Sequence, residues 1–171
     1  VIDGELTHAD SMDNQRVLER GQVQYMSAGK GITHSEHNRG SEILRLLQIW
    51  FYPDKNGYEP NYGDNKFPFD ERVDKWLNIA SGDGDESYPI QIHADVHVYA
   101  SFIHSGKELP FRVGANRQAY LVLIEGEAKI DDIAMKERDA MEITEQPITV
   151  QALKDAHVMV IEMAKSSPEL D

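Results

Sequence analysis

Hydrophobic and polar positions in this chain change over in short alternating runs rather than in helical stripes. Gln22-Val23-Gln24-Tyr25-Met26, just after Gly21, alternates polar and apolar groups, the period of a strand with one buried face. Upstream, residues 5–9 and the segment from Val17 predict two strands joined by the polar turn Ser11-Met12-Asp13-Asn14. Residues 43–51, rich in β-branched and aromatic groups, predict the strongest strand, broken by Pro53-Asp54-Lys55-Asn56-Gly57. Residues 53–87 read as a polar connector with a short helix around 69–76. Strands then resume over 90–93, 97–103, 119–124, 128–133, 140–143, 148–152 and 157–163, with a tight turn at Glu125-Gly126-Glu127. Short strands with frequent turn signals predict an all-β protein of closed barrels or sandwiches, here two small domains.

Composition narrows the function classes. The 171 residues carry 30 acidic against 17 basic side chains, a formal charge of −13, and Lys and Arg form no run. Direct nucleic-acid binding needs a basic footprint and is not expected. The absence of cysteine excludes disulfides, Cys-ligated zinc and thiol catalysis, and it fits the cytoplasm. The longest apolar run, Ala119 to Ile124, is far too short to span a membrane, and no signal peptide is visible. The chain opens at Val1-Ile2-Asp3-Gly4 without Met, in what reads as the end of a strand, so a preceding segment is expected to be missing.

Candidate chemistry concentrates in Gly29-Lys30-Gly31-Ile32-Thr33-His34-Ser35-Glu36-His37-Asn38, a glycine turn leading into His-x-Glu. On an extended backbone His34 and Glu36 face the same way, and an imidazole beside a carboxylate is half of a metal site. Gly29 and Gly31 permit the sharp approach that brings the pair inward. His37 falls on the opposite face. The plainer reading is an ordinary His–Glu pair on a strand.

The string QYMSAGKGITHSEHN, from Gln24 to Asn38, resembles the second motif of the cupin superfamily and more closely its pirin branch. VIDGELTHADSMDN is similar to the end of the first pirin motif, and Gln48-Ile49-Trp50 to the strand that follows in pirins. The resemblance implies a bicupin, two β-barrel domains of jelly-roll type, with the first incomplete here. Residues 1–60 would be the remainder of the metal-type barrel, 61–86 the connector and 87–171 a second barrel without a metal motif.

It implies further that His34 and Glu36 are two ligands of one divalent transition metal, Fe(II) ahead of Mn, Ni, Co, Cu or Zn. A His-x-His upstream would complete the set, so the chain alone is expected to hold metal weakly or not at all. The implied activity is that of a quercetin dioxygenase on a flavonol. Glu36 would serve as ligand and proton acceptor, and the chain alone would be inactive. The alternative is a non-enzymatic, metal-binding regulator with a protein partner. The complete protein is expected to be a monomer that contacts neither membrane nor nucleic acid.

Other polar clusters carry plainer expectations. His93, Asp95 and His97 share a face and have metal-ligand spacing, but the flanking Ile92, Val96 and Val98 favour the wet face of a half-buried strand. His104 and His157 read as structural, and His8 as a surface residue beside a turn, ahead of a place near the barrel mouth. Tyr25, Met26, Gln48 and Trp50 read as strand core or pocket lining. Asp83-Gly84-Asp85-Glu86 reads as a solvated loop, with calcium binding the weaker idea.

Overall fold

The predicted N-terminal hairpin forms, and Asp10 makes its turn. Strand β1 (Leu6–Asp10) is antiparallel to β2 (Gln15–Leu18), with His8 opposite Arg16. Asp10 Oδ1 accepts the backbone N–H groups of Met12 at 2.9 Å and Asn14 at 3.1 Å, which closes the turn. The computed structural model describes residues 1–82, 84 and 88–165. They divide into two compact units, Val1–Phe67 and Pro68–Asp171. The acidic run from Asp83 to Glu86, and with it the calcium idea, lies almost wholly outside the described residues.

The first unit continues through β3 (Gln22–Ser27), β4 (His34–His37) and β5 (Asn61–Lys66). One sheet has the order β2-β1-β4, and β3 pairs with β5 in a second. Residues 61–66, expected in the connector, form a strand although NYGDNK has no strand-like pattern. Its six residues pair in register with β3, from Gln22 opposite Lys66 to Ser27 opposite Asn61, so tertiary pairing overrides propensity. Gly63 is part of the reason: a Cβ there would lie 2.3 Å from Cε1 of Tyr25.

The strongest predicted strand does not form. Residues 43–51 touch β-structure only through the bridge between Asp3 and Arg45. Ile43 and Trp50 are 81% and 85% exposed, and Gln48 is exposed too. β-branched and aromatic composition expresses itself as a strand only where an edge is free to pair with it.

The second unit opens with a single 3-10 turn, Phe69–Arg72, shorter than the helix expected over 69–76. Nine strands follow among the described residues: β6 (Leu77–Ser81), β7 (Val96–Ile103), β8 (Glu108–Arg112), β9 (Arg117–Glu125), β10 (Glu127–Ile130), β11 (Ile133–Lys136), β12 (Ala140–Thr144), β13 (Pro147–Ala152) and β14 (Ala156–Ala164). They build two antiparallel sheets, ordered β12-β9-β14-β7-β6 and β11-β10-β13-β8. Leu121, Leu123, Val158 and Val160 of one sheet and Ile130, Ile148 and Val150 of the other share one apolar core. The strand expected over 90–93 is reduced to a bridge between Ser81 and Gln91. The one expected over 128–133 breaks at Asp131, which has φ of 49°, and becomes the β10–β11 hairpin.

Gly126 carries the tight turn expected between two strands, here β9 and β10. It is where the chain leaves the five-stranded sheet for the four-stranded one, since β9 and β10 do not pair. Its φ is +90°, and a Cβ would stand 2.0 Å from the carbonyl oxygen of Asp155.

Candidate metal centre

Strand β4 runs antiparallel to β1, placing His8 opposite Glu36 and Asp10 opposite His34. Directly paired residues on neighbouring strands share a face, so two imidazoles and two carboxylates gather on one side of this sheet. The expected same-face placement of His34 and Glu36 is there, and His37 pairs with Thr7 on the other face. The glycine turn works as the sequence suggests at Gly29, where φ is +49° and a Cβ would meet the carbonyl oxygen of Tyr58 at 2.0 Å.

His8 is the residue that sequence reasoning misplaced. It is buried, not a surface neighbour of a turn, with 1% of its area exposed. Its Nε2 lies 3.0 Å from Asp10 Oδ2, where the carboxylate accepts the N–H. Its Nδ1 faces Glu36 Oε1 at 4.0 Å and has no hydrogen-bond partner among the described residues. The ring stacks on Tyr62, with centroids 4.5 Å apart, and on His34 at 5.8 Å. The signal available in the sequence was the period of two: His8 follows the apolar Leu6 on the inward face of the predicted strand, whereas Thr7 and Ala9 face away.

Two further residues brace Glu36 from β3 and β5. Gln24 Nε2 donates to Glu36 Oε1 at 2.6 Å, and the Tyr62 hydroxyl donates to Gln24 Oε1 at 3.2 Å. The chain Tyr62–Gln24–Glu36 ties the two sheets of the first unit and leaves Glu36 Oε2 uncommitted by it. Burial, seconded by the charge of Asp64, pushes the Tyr62 phenol up to about 12, so it remains a neutral donor across the physiological range. Burial works to raise Asp10, but hydrogen bonds from His8, Asn14 and Met12 outweigh it and hold the carboxyl well below its ordinary range. Asp10 is therefore a fixed anion behind His8.

In kind, these donors suit a divalent transition metal: imidazole nitrogen, carboxylate oxygen and a buried ring nitrogen without a partner. In number they fall short. Among the described residues, no three His, Asp or Glu groups are gathered so as to hold a metal ion. The sequence contains no His-x-His.

Residues 1–51 match the family described as Pirin, and residues 78–163 the quercetinase C-terminal cupin domain. A Pseudomonas aeruginosa protein, provisionally named a quercetin 2,3-dioxygenase, is 38% identical over 165 residues, which are 96% of this chain and 71% of that one. The chain belongs to the pirin family. Among other pirin relatives, the quercetin 2,3-dioxygenase of Escherichia coli K12 is 30% identical over 165 residues, 95% of this chain and 70% of that one. The crystal structure of the bacterial pirin YhhW from E. coli, in complex with nickel(II), superposes with a TM-score of 0.87 at 29% identity. It covers 97% of this chain and 71% of its own. The all-β bicupin expected from the motifs is thus the architecture of this pirin.

The remaining candidates in this pirin resolve separately. His93, Asp95 and His97 do not converge: Asp95 accepts both its hydrogen bonds from Arg117 Nη1, and His97 Nδ1 meets the Ser81 hydroxyl at 2.8 Å. His97 stands on the inner face of its sheet, in line with Tyr99, not on the wet face expected of it. His104, read as structural, is held by Asp74 through both its backbone N–H and its ring. No helix among the described residues is long and apolar enough to cross a membrane.

Proposed function

We propose that this chain carries half of the metal centre of a pirin-type dioxygenase acting on a flavonol such as quercetin. The observation that supports it most is Glu36, on the same face as His34 and oriented by Gln24 with one oxygen left open. His34 and Glu36 would hold the metal together with ligands outside the set that these strands supply. Fe(II) leads on the chemistry of the donors, with Mn, Ni, Co and Cu compatible and Zn less so for an oxidation. The bound metal would supply Lewis acidity and a route for electrons between substrate and dioxygen.

The protein's own part is proton transfer and positioning. Glu36 accepts the proton of a substrate hydroxyl presented to its open oxygen, because Asp10, the other carboxylate on that face, is committed to His8, Met12 and Asn14. Gln24 keeps Glu36 Oε1 occupied, so that the free oxygen is the one that works. Tyr62, neutral, fixes which way the Gln24 amide points. His8, anchored by Asp10, presents its ring edge to Glu36 and keeps bulk water from that side.

Two measurements test this. Elemental analysis of the purified chain, never exposed to chelator, reads metal per chain. Oxygen-dependent loss of quercetin absorbance reads turnover. Turnover above free metal, falling about a hundredfold or more in Glu36→Gln, is expected wherever metal is retained. Retained metal without flavonol loss would sink the enzyme reading and favour the regulator. Turnover in the absence of any partner protein would count against the regulator.

A further inference from the structure

The inner face of the second unit becomes charged at one end. Leu121, Leu123, Val158 and Val160 fill the interior of the five-stranded sheet, with Tyr99 packed against them. One step further along that face are His97 on β7 and, directly opposite it on β14, Glu162. Glu162 is only 8% exposed, and an inward carboxylate is costly unless paired. Arg117 pairs it bidentately, with Nε on Oε1 and Nη2 on Oε2, while Nη1 reaches both oxygens of Asp95 at 2.8 Å. Arg117 is fully committed to these two carboxylates.

Opposite this polar end is an aromatic wall. Trp76 Nε1 donates to the carbonyl of Pro110 at 2.8 Å, tying the start of β6 to the edge strand β8 of the other sheet. Phe111 receives both Trp76 and Tyr99 edge-on, at centroid distances of 5.1 and 5.3 Å. Burial, with the charge of Glu162 second, pushes the Tyr99 phenol up and keeps it neutral. Between the wall and the ion pair lies a cavity of about 580 Å³. Its size is that of ordinary small-molecule sites. At its rim stands Arg112, exposed, whose guanidinium makes no hydrogen bond or ion pair among the described residues.

We propose that this cavity is a second small-molecule site, taking a planar aromatic carboxylate with a ring hydroxyl, the hydroxybenzoate class. Each part of that ligand answers a feature of the cavity. Arg112 is the uncommitted cation at the mouth and receives the carboxylate. Trp76, Tyr99 and Phe111 offer ring faces and edges to a flat body. Glu162 has acceptor capacity beyond its two bonds from Arg117 and takes the hydroxyl proton as a hydrogen bond. An aromatic ring bearing an alkylammonium group would meet Arg112 with like charge, and a phosphate would bring more negative charge towards Glu162 than one guanidinium offsets. The site shares no residue with the centre on β1 and β4.

Trp76 is also the reporter. The chain has two tryptophans, and the other, Trp50, is 85% exposed, so Trp50→Phe leaves one indole inside the cavity. Titration of that chain with 4-hydroxybenzoate in EDTA is expected to change Trp76 fluorescence saturably, with Kd below about 1 mM. Arg112→Ala should weaken it tenfold or more, Arg112→Lys should recover part of the loss, and tyramine should not compete. Arg112 is exposed on an edge strand, so circular dichroism should show both variants folded. A response linear to about 10 mM, equal binding of tyramine, or an Arg112→Ala variant that binds as well would each overturn the assignment.

Discussion

Carboxylates held as anions by hydrogen bonds bear on how this protein responds to acid. Asp10 and Asp74 both have folded-state values below the ordinary 3.8, Asp10 through His8, Asn14 and Met12, Asp74 through the backbone N–H and then the ring of His104. A group depressed in the folded state contributes stability that is fully present above its unfolded value and is lost as pH falls through the folded one. Melting temperature should therefore hold between pH 7 and 5 and fall increasingly below about 4. Asp10→Asn and Asp74→Asn should each melt lower at pH 7 and show a shallower acid decline. An acid profile that neither variant flattens would move the cause elsewhere. Asp10 also shows how a residue unremarkable in sequence comes to matter. As one Asp in a polar turn it predicts a turn; its second role, anchoring His8 behind Glu36, needs the β1–β4 register.

At the scale of elements, the glycine turn before β4 is the part on which the site depends most. Gly29→Ala must place a methyl where the Tyr58 carbonyl oxygen sits, in a left-handed conformation besides. A cost on the order of 1–3 kcal/mol is expected, read by denaturant titration. Gly31→Ala, with φ of +131° but nothing within 4 Å, should cost backbone strain alone and therefore less. Local pattern made β1, β3, β4 and most strands of the second unit legible, because alternation and turn residues agree there. The pattern misled where an element's fate depends on a distant partner. Residues 61–66 pair because β3 offers an edge, and residues 43–51 form no strand beyond the bridge at Arg45 despite ideal composition. Of the metal centre, His34 and Glu36 were legible from spacing, whereas His8, Gln24 and Tyr62 come from three other strands and no spacing links them.

Over the whole molecule the two units differ in what holds them. The second buries a continuous apolar cluster between two sheets, with Leu121, Leu123, Val150, Val158 and Val160 wholly inaccessible. The first holds together more by polar ties: Asp10 to its turn, Gln24 to Glu36, and Arg45 to Asp3, with Leu6, Leu18 and Phe67 among its few buried apolar groups. Opening free energy follows buried apolar packing, so amides of β9 and β14 should exchange with solvent far more slowly than those of β3 and β5. Leu121→Ala should destabilise the second unit by about 2–5 kcal/mol and speed exchange in β9 and β14. Equal protection in both units would show that the polar ties match the packed core.

The stretch from Ile43 to Tyr52, joined to β-structure among the described residues only at the Asp3–Arg45 bridge, has a consequence for the protein in concentrated solution. A segment lying outside the sheets and presenting Ile43, Trp50 and Tyr52 to water is an apolar surface onto which a like segment of another molecule can add. At neutral pH the net charge of −13 keeps molecules apart. Acid and salt each remove that protection, the one by titrating carboxylates and the other by screening them. Self-association would then begin at this segment, while the barrel strands are still paired.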